Sequence, residues 1–362
     1  MRPFTRISLF FCLCSLFIAH AQPLRYVVAD QDAAGPGGSD MTSLLVLLQS
    51  PEVKVLGITV VTGDDWRDRE VAHALRLLET IGRTDIHVYP GAAFPLVRTH
   101  EWTTLAAQMY GKVAFEGAWG GPGDSVWDEI PPLGEGAPRT KAAEEDAAHF
   151  MIRMVHQYPH QVTIYAAGPL TNVALAVRLD PHFAELAQQL VVMGGSLNPQ
   201  TQAAEWAGDP RHEFNFWFDP EAASIALHAK WPKITVTTID ASLKTRMEPE
   251  VLDGLKGATS PAARYTLKYT TRPVMINYLW DELAAAAWLD SSLITSERYV
   301  YMDVDINHGP TYGDTLIWNE GTEPRLPLQK VHAQVDVDLP RLQSLLIKLL
   351  SSPTPNATAP AE

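Results

Sequence analysis

The sequence predicts an α/β fold, a sheet layered with helices, and three features carry that expectation. Short β-branched runs alternate with longer segments of helical periodicity along most of the chain. The run at residues 53–61 is apolar almost throughout, as expected of a strand covered on both faces. The segment 69–81 gathers Val71, Ala74, Leu75 and Leu78 on one helical face.

Taken in order, residues 25–29 read as the first strand, followed by a Gly-rich loop and an apolar helix over about 41–48. The strand 53–61 and the helix 69–81 come next. Residues 100–138 are rich in Gly, Pro and Trp and weakly periodic, which predicts a long irregular insertion of the kind that usually carries function. A helix over 140–157, a strand over 162–166, a helix over 171–179 and a strand over 190–193, closed by Gly194-Gly195, resume the rhythm. It repeats through 234–239. A helix over about 341–350 ends the ordered chain, and the polar, Pro-containing residues 351–362 are expected to be disordered. No internal repeat or linker divides the chain, so residues 22–350 are expected to form one domain.

The first 21 residues follow another logic. Arg2 and Arg6 precede an apolar run from Ile7 to Ile18, and Ala19-His20-Ala21 offers a small-x-small cleavage site. This predicts a secretory signal peptide and a periplasmic or secreted protein. The alternative, a membrane anchor, is disfavoured because the run is well short of the roughly 20 residues that span a bilayer. No other apolar run is long enough to span, so the mature form is expected to be free of membrane. Cys12 and Cys14 are the only cysteines and lie in the segment to be removed. The remaining 341 residues can bury enough core to stand without disulfides.

Without Arg2 and Arg6 the chain has 26 basic and 42 acidic residues, a formal charge of −16. With no basic cluster to offset that balance, nucleic acid is excluded as a partner.

Ligands of α/β sheets collect at the carboxyl ends of the strands, and there stand Asp30, Asp32 and, after Gly35-Pro36-Gly37-Gly38, Asp40. Carboxylates two residues apart on an extended chain project to one side. Three such groups converging without His or Cys would select a hard cation, calcium or magnesium. The plainer alternative is that they cap turns and a helix. A phosphate loop fails, because Gly-x-Gly-x-x-Gly and a Lys are missing and three acids repel phosphate. A phosphatase of the haloacid dehalogenase type fails because Ala34 stands where Thr or Val is needed.

The chain resembles the nucleoside hydrolases in a series of segments that occur in family order. They are Ser50-Pro51-Glu52-Val53, Leu56-Gly57-Ile58-Thr59 to Gly63, Ala74-Leu75-Arg76-Leu77-Leu78 and Gly82-Arg83-Thr84-Asp85, then Gly168-Pro169-Leu170-Thr171-Asn172, Val191-Val192-Met193-Gly194-Gly195, Glu213-Phe214-Asn215 and Asp219-Pro220-Glu221-Ala222-Ala223. The resemblance implies a Rossmann-like, open, mostly parallel sheet flanked by helices. It also implies a calcium-dependent hydrolase that cleaves the N-glycosidic bond of a small-molecule nucleoside to base and ribose. Residue by residue, Asp32 matches the carboxylate that contacts the ion and takes a proton from the attacking water. Asp30, Asp40, Asp281 and the backbone carbonyl of Ala167 match metal ligands. Asp64, Met193, Glu213 and Asn215 match ribose-pocket residues. The expected assembly is a homo-oligomer.

Three departures stand out. The acidic loop is about three residues longer than usual, with Ser39 where a second adjacent Asp is common. Ala207 replaces an Asn expected six residues before Glu213. Trp280 precedes Asp281 where many members carry the His that protonates the leaving base. Purine-preferring relatives also carry Trp there and activate the base by stacking, and Arg272 resembles them too; a purine substrate follows from that resemblance. Among Trp102, Trp119 and Trp127, Trp102 is the expected stacking partner. The alternatives are that Trp280 is a core aromatic, and that the chain is a catalytically weak nucleoside- or sugar-binding protein.

Overall fold

The computed structural model describes residues 24–120, 126–199, 201, 204–246, 249–270 and 278–357. The expected signal peptide, Arg272 and residues 358–362 lie outside them.

The described residues form one nine-stranded sheet in the order β3-β2-β1-β4-β5-β6-β9-β7-β8. The strands are β1 (Arg25–Gln31), β2 (Val53–Val60), β3 (Val88–Pro90), β4 (Val162–Ala167), β5 (Gln189–Met193), β6 (Ile234–Thr237), β7 (Ile294–Val304), β8 (Thr315–Trp318) and β9 (Lys330–Val337). Strands β1 to β6 and β9 pair in parallel, while β7 runs antiparallel to both β8 and β9. The mostly parallel α/β architecture is therefore the one expected; the antiparallel edge was not.

Alternate residues of β1 enter opposite cores, which explains its unbroken apolar character. Val27 and Ala29 join the core under the helices Gly38–Gln49, Arg67–Ile81 and Asp281–Leu289, whereas Val28 joins Phe150, Val173 and Ala223 on the other face. Strand order reverses between β1 and β4, so the chain leaves the carboxyl ends of these neighbours in opposite directions. Such a reversal is the usual ligand position in sheets of this kind.

Three expectations need correction. Residues 100–138 are not irregular throughout: a helix covers His100–Tyr110 and a 3-10 turn Gly117–Gly120. Of that helix only Thr103 is buried, so no apolar stripe betrays it. Thr99 caps it, accepting from the Trp102 N–H at 3.1 Å. The helix expected at 140–157 begins only at Ala147, behind the Asp146 cap. The tail is also not unstructured from its start, since Ser351 closes the last helix, Leu339–Ser351, and Thr354 is buried.

Candidate active site

β1 delivers the first acidic residues because its end is buried beside β2 and β4. Asp30 Oδ1 accepts from Thr59 Oγ1 of β2 at 2.6 Å and from Asn172 Nδ2, in the helix Thr171–Leu179, at 2.8 Å. Its Oδ2 is buried without a partner. Burial pushes its pKa up to about 7, against those two bonds.

Asp32 lies between two glycines that are needed for close approach. A Cβ on Gly63 would fall 2.1 Å from Asp32 Oδ2, and one on Gly168 would fall 2.7 Å from Oδ1. The backbone N–H of Asp64 donates to Asp32 Oδ2 at 3.1 Å. Burial, then the charges of Asp64, Glu70 and Asp281, hold the Asp32 pKa well above the carboxylate range. Asp40 is raised likewise by burial and by Asp64, Asp32 and Asp281. Ala167 pairs with Gln31 at the end of β4, on the same rim.

Asp281 arrives 250 residues later in the chain, where Gln31 Nε2 donates to its Oδ2 at 2.7 Å. It opens the helix Asp281–Leu289, and β1 holds that helix at both ends: Arg25 bonds the carbonyls of Trp288 and Leu289. The Tyr165 hydroxyl of β4 donates to the Asp281 carbonyl at 2.9 Å. Burial lifts Asp281 to about 6, opposed by its bonds with Asp40 and Gln31.

Four of the expected acids, Asp32, Asp40, Asp64 and Asp281, are thus linked by their charges, while Asp30 Oδ1 is bonded to Thr59 and Asn172. Among the described residues no three His, Cys, Asp or Glu side chains already close into a metal cage. The donors nevertheless suit a hard cation: they are all oxygen, Asp32, Asp40 and Asp281 are buried, and the neighbouring charges that raise Asp32 and Asp40 are those of other acids.

Beyond this cluster, Met193 ends β5 and its carbonyl accepts from Asn215 Nδ2 at 3.1 Å. Glu213 caps the short helix Phe214–Phe218: Oε1 accepts from Asn215 N, and Oε2 from Phe216 N and Gly195 N. Burial pushes its pKa up to about 7 against those bonds, with Asp281 adding to the rise. Met193, Glu213 and Asn215 are one bonded unit.

The aromatic residues depart from expectation. Trp280 meets Tyr278 edge-on with centroids 5.2 Å apart and Trp206 tilted at 5.5 Å. Trp102 packs on His308 and Tyr312 instead. Trp119 stacks on Phe218 and Trp127 tilts on Phe94. The neighbour of Trp280 is therefore Trp206, which sequence reasoning missed because Trp206 lies 74 positions away with no pattern linking the two.

Gln31, Glu70 and Glu282 were missed as well. Gln31 and Glu282 each stand directly beside a selected Asp, a signal available in the sequence; Glu70 was hidden within an amphipathic helix.

The family model described as "Inosine-uridine preferring nucleoside hydrolase" matches residues 27–343. The chain is 30% identical over 340 residues to "Probable uridine nucleosidase 2" of Arabidopsis thaliana, covering 90% of this chain and 97% of that one. Among solved structures it resembles "Plant nucleoside hydrolase - PpNRh1 enzyme", with a TM-score of 0.71 and 27% identity over 91% of this chain and all of the other. It shares its fold with "Purine-Preferring Ribonucleoside Hydrolase from Gardnerella vaginalis", at a TM-score of 0.70 and 24% identity over 90% of this chain and 98% of that one. With a family match across most of its length and a buried acidic cluster at the β1–β4 switch, the chain belongs to the inosine-uridine preferring nucleoside hydrolase family and is a ribonucleoside hydrolase acting on N-glycosyl bonds.

Proposed function

We propose that the chain is an exported, calcium-dependent hydrolase that prefers purine ribonucleosides. The observation that carries the preference is the aromatic wall of Trp206, Tyr278 and Trp280, placed immediately before Asp281. An indole cannot deliver a catalytic proton, but it can stack on a purine and favour its protonated form. The relatives named above include both a uridine nucleosidase and a purine-preferring hydrolase, so their names favour neither base class.

Asp32, Asp40, Asp281 and the Ala167 carbonyl are the groups that would hold calcium. Asp30, matched to a ligand by resemblance, is better suited to locking β1 onto Thr59 and Asn172. A bound ion would supply positive charge that keeps these carboxylates ionised and would polarise a water and the ribose diol.

Asp32 then acts as the general base. The Asp64 amide fixes its Oδ2, and Gly63 and Gly168 leave room for nothing but the carboxylate beside them. Glu213 Oε1 accepts only one backbone bond, which leaves it a lone pair for a sugar hydroxyl, and Met193 fixes Asn215 beside it. Positive charge that develops on ribose as the bond to the base breaks would be stabilised by the buried acids.

Release of reducing sugar from inosine, guanosine and uridine, with and without a calcium chelator, tests the proposal. Purine turnover that disappears with the chelator is expected. Equal turnover of all three nucleosides would remove the purine preference, and chelator-resistant turnover would remove calcium.

A further inference from the structure

A carboxylate outside the family-matched set acts on the same acidic cluster. Glu70 sits in the first turn of the helix Arg67–Ile81 and is completely buried. Its Oε1 accepts from the Asp65 N–H at 2.7 Å, and its Oε2 has no partner.

Glu70 and Asp32 hang from one short stretch of backbone. The Asp64 amide binds Asp32 at 3.1 Å and the next amide, that of Asp65, binds Glu70. The charges acting on Glu70 are those of Asp64, Asp40 and Asp65, all of its own sign. The adjacent arginines turn elsewhere: Arg67 to Asp68 and the Gly91 carbonyl, Arg69 to Asp65 and the Glu129 carbonyl. A buried carboxylate with an unpartnered oxygen and acids among its neighbours is costly to ionise unless a cation balances it.

The acidic loop lacks a charge where Glu70 could supply one. Ser39 stands in place of a second acidic residue and spends its hydroxyl on Glu282 and on the Trp280 and Asp281 amides. We propose that Glu70 belongs to the cation site formed with Asp32, Asp40 and Asp281, supplying from the helix Arg67–Ile81 the carboxylate charge that the loop lacks at Ser39. This rests on the reading that the acidic cluster binds calcium.

Glu70→Gln separates charge from structure, because the amide oxygen can still accept from Asp65 N. Titration calorimetry of the calcium-free full chain with calcium chloride alone should show affinity reduced about tenfold or more in Glu70→Gln. Its calcium-free melting temperature should rise, because like-charge repulsion is relieved. Glu70→Asp, which keeps the charge on a shorter arm, should bind with an affinity between those of wild type and Glu70→Gln. Wild-type binding that Glu70→Gln leaves unchanged, or equal weakening in both variants, would make Glu70 only the bonding partner of the Asp65 turn. Absence of calcium binding in the wild type would overturn this inference and the calcium reading together.

Discussion

The hydroxyl of Ser39 accepts a hydrogen bond from the backbone N–H of Asp281 at 2.9 Å, across 242 positions of sequence. It also accepts from Trp280 N at 3.2 Å and donates to Glu282. The residue that removes one acid from the loop therefore ties the loop to the helix that brings the last acid. Ser39→Ala should strand the Glu282 carboxylate and two amides. A loss of about 1–3 kcal/mol in urea unfolding is expected; unchanged stability would mean that water replaces the hydroxyl without cost.

Asp32→Asn should nearly abolish turnover with the fold intact, since an amide cannot accept the water's proton. General-base losses are typically about 10²- to 10⁴-fold. Single-turnover rates beside circular dichroism check this, and turnover near that of wild type would sink the assignment of Asp32.

Gly63→Ala probes the same carboxylate without touching it. The added methyl would meet Asp32 Oδ2 at 2.1 Å and Pro169 Cδ at 2.7 Å, so Asp32 must move. A loss of about 100-fold in kcat is expected from misplacing the base by about an ångström. Retention of full kcat would show that the base need not be held where it stands.

Calcium should raise the melting temperature, with about 2.7 kcal/mol of added stability at 100 times Kd. The pH dependence of the calcium-free chain has a definite sign. Asp30 and Glu213 are pushed up to about 7 and Asp281 to about 6, so the folded state holds protons that the unfolded chain releases near pH 4. Their contribution is fully present below that value and is lost as pH rises to about 7. Buried His212, lowered to about 4, opposes this with one group. Scanning calorimetry should show a calcium-free melting temperature that falls from pH 4.5 to 7 and a calcium-induced shift that grows over the same range. A calcium-free melting temperature that rises over that range would contradict the burial of these acids.

Trp206→Ala should reduce turnover of inosine more than that of uridine, because the smaller pyrimidine gains less from an indole beside it. Trp280→His should do the same through kcat more than KM, since stacking acts on the bond-breaking step. Equal losses on both nucleosides would make the pair a packing cluster.

The sequence by itself determined the layered α/β architecture and located the strands β1, β2, β4, β5 and β6, but only a minority of the helices. Burial period and cap chemistry are local, so the strand at 53–61 and the helices around 69–81 and 171–179 could be read within a few residues of one another. The identities of Asp32, Asp40, Asp64 and Asp281 came from the order of motifs. Sequence could not tell that Asp30 Oδ1 bonds Thr59 and Asn172, because that depends on which neighbours β1 finds in the sheet. The helix His100–Tyr110 was invisible for the opposite reason: with one buried residue it leaves no periodic trace. Only the tertiary structure decided that Trp280 meets Trp206, that Gln31 grips Asp281 and that consecutive amides bind Asp32 and Glu70. Those contacts are made by loops and helix ends converging at the β1–β4 switch, where proximity is set by the sheet and not by spacing along the chain.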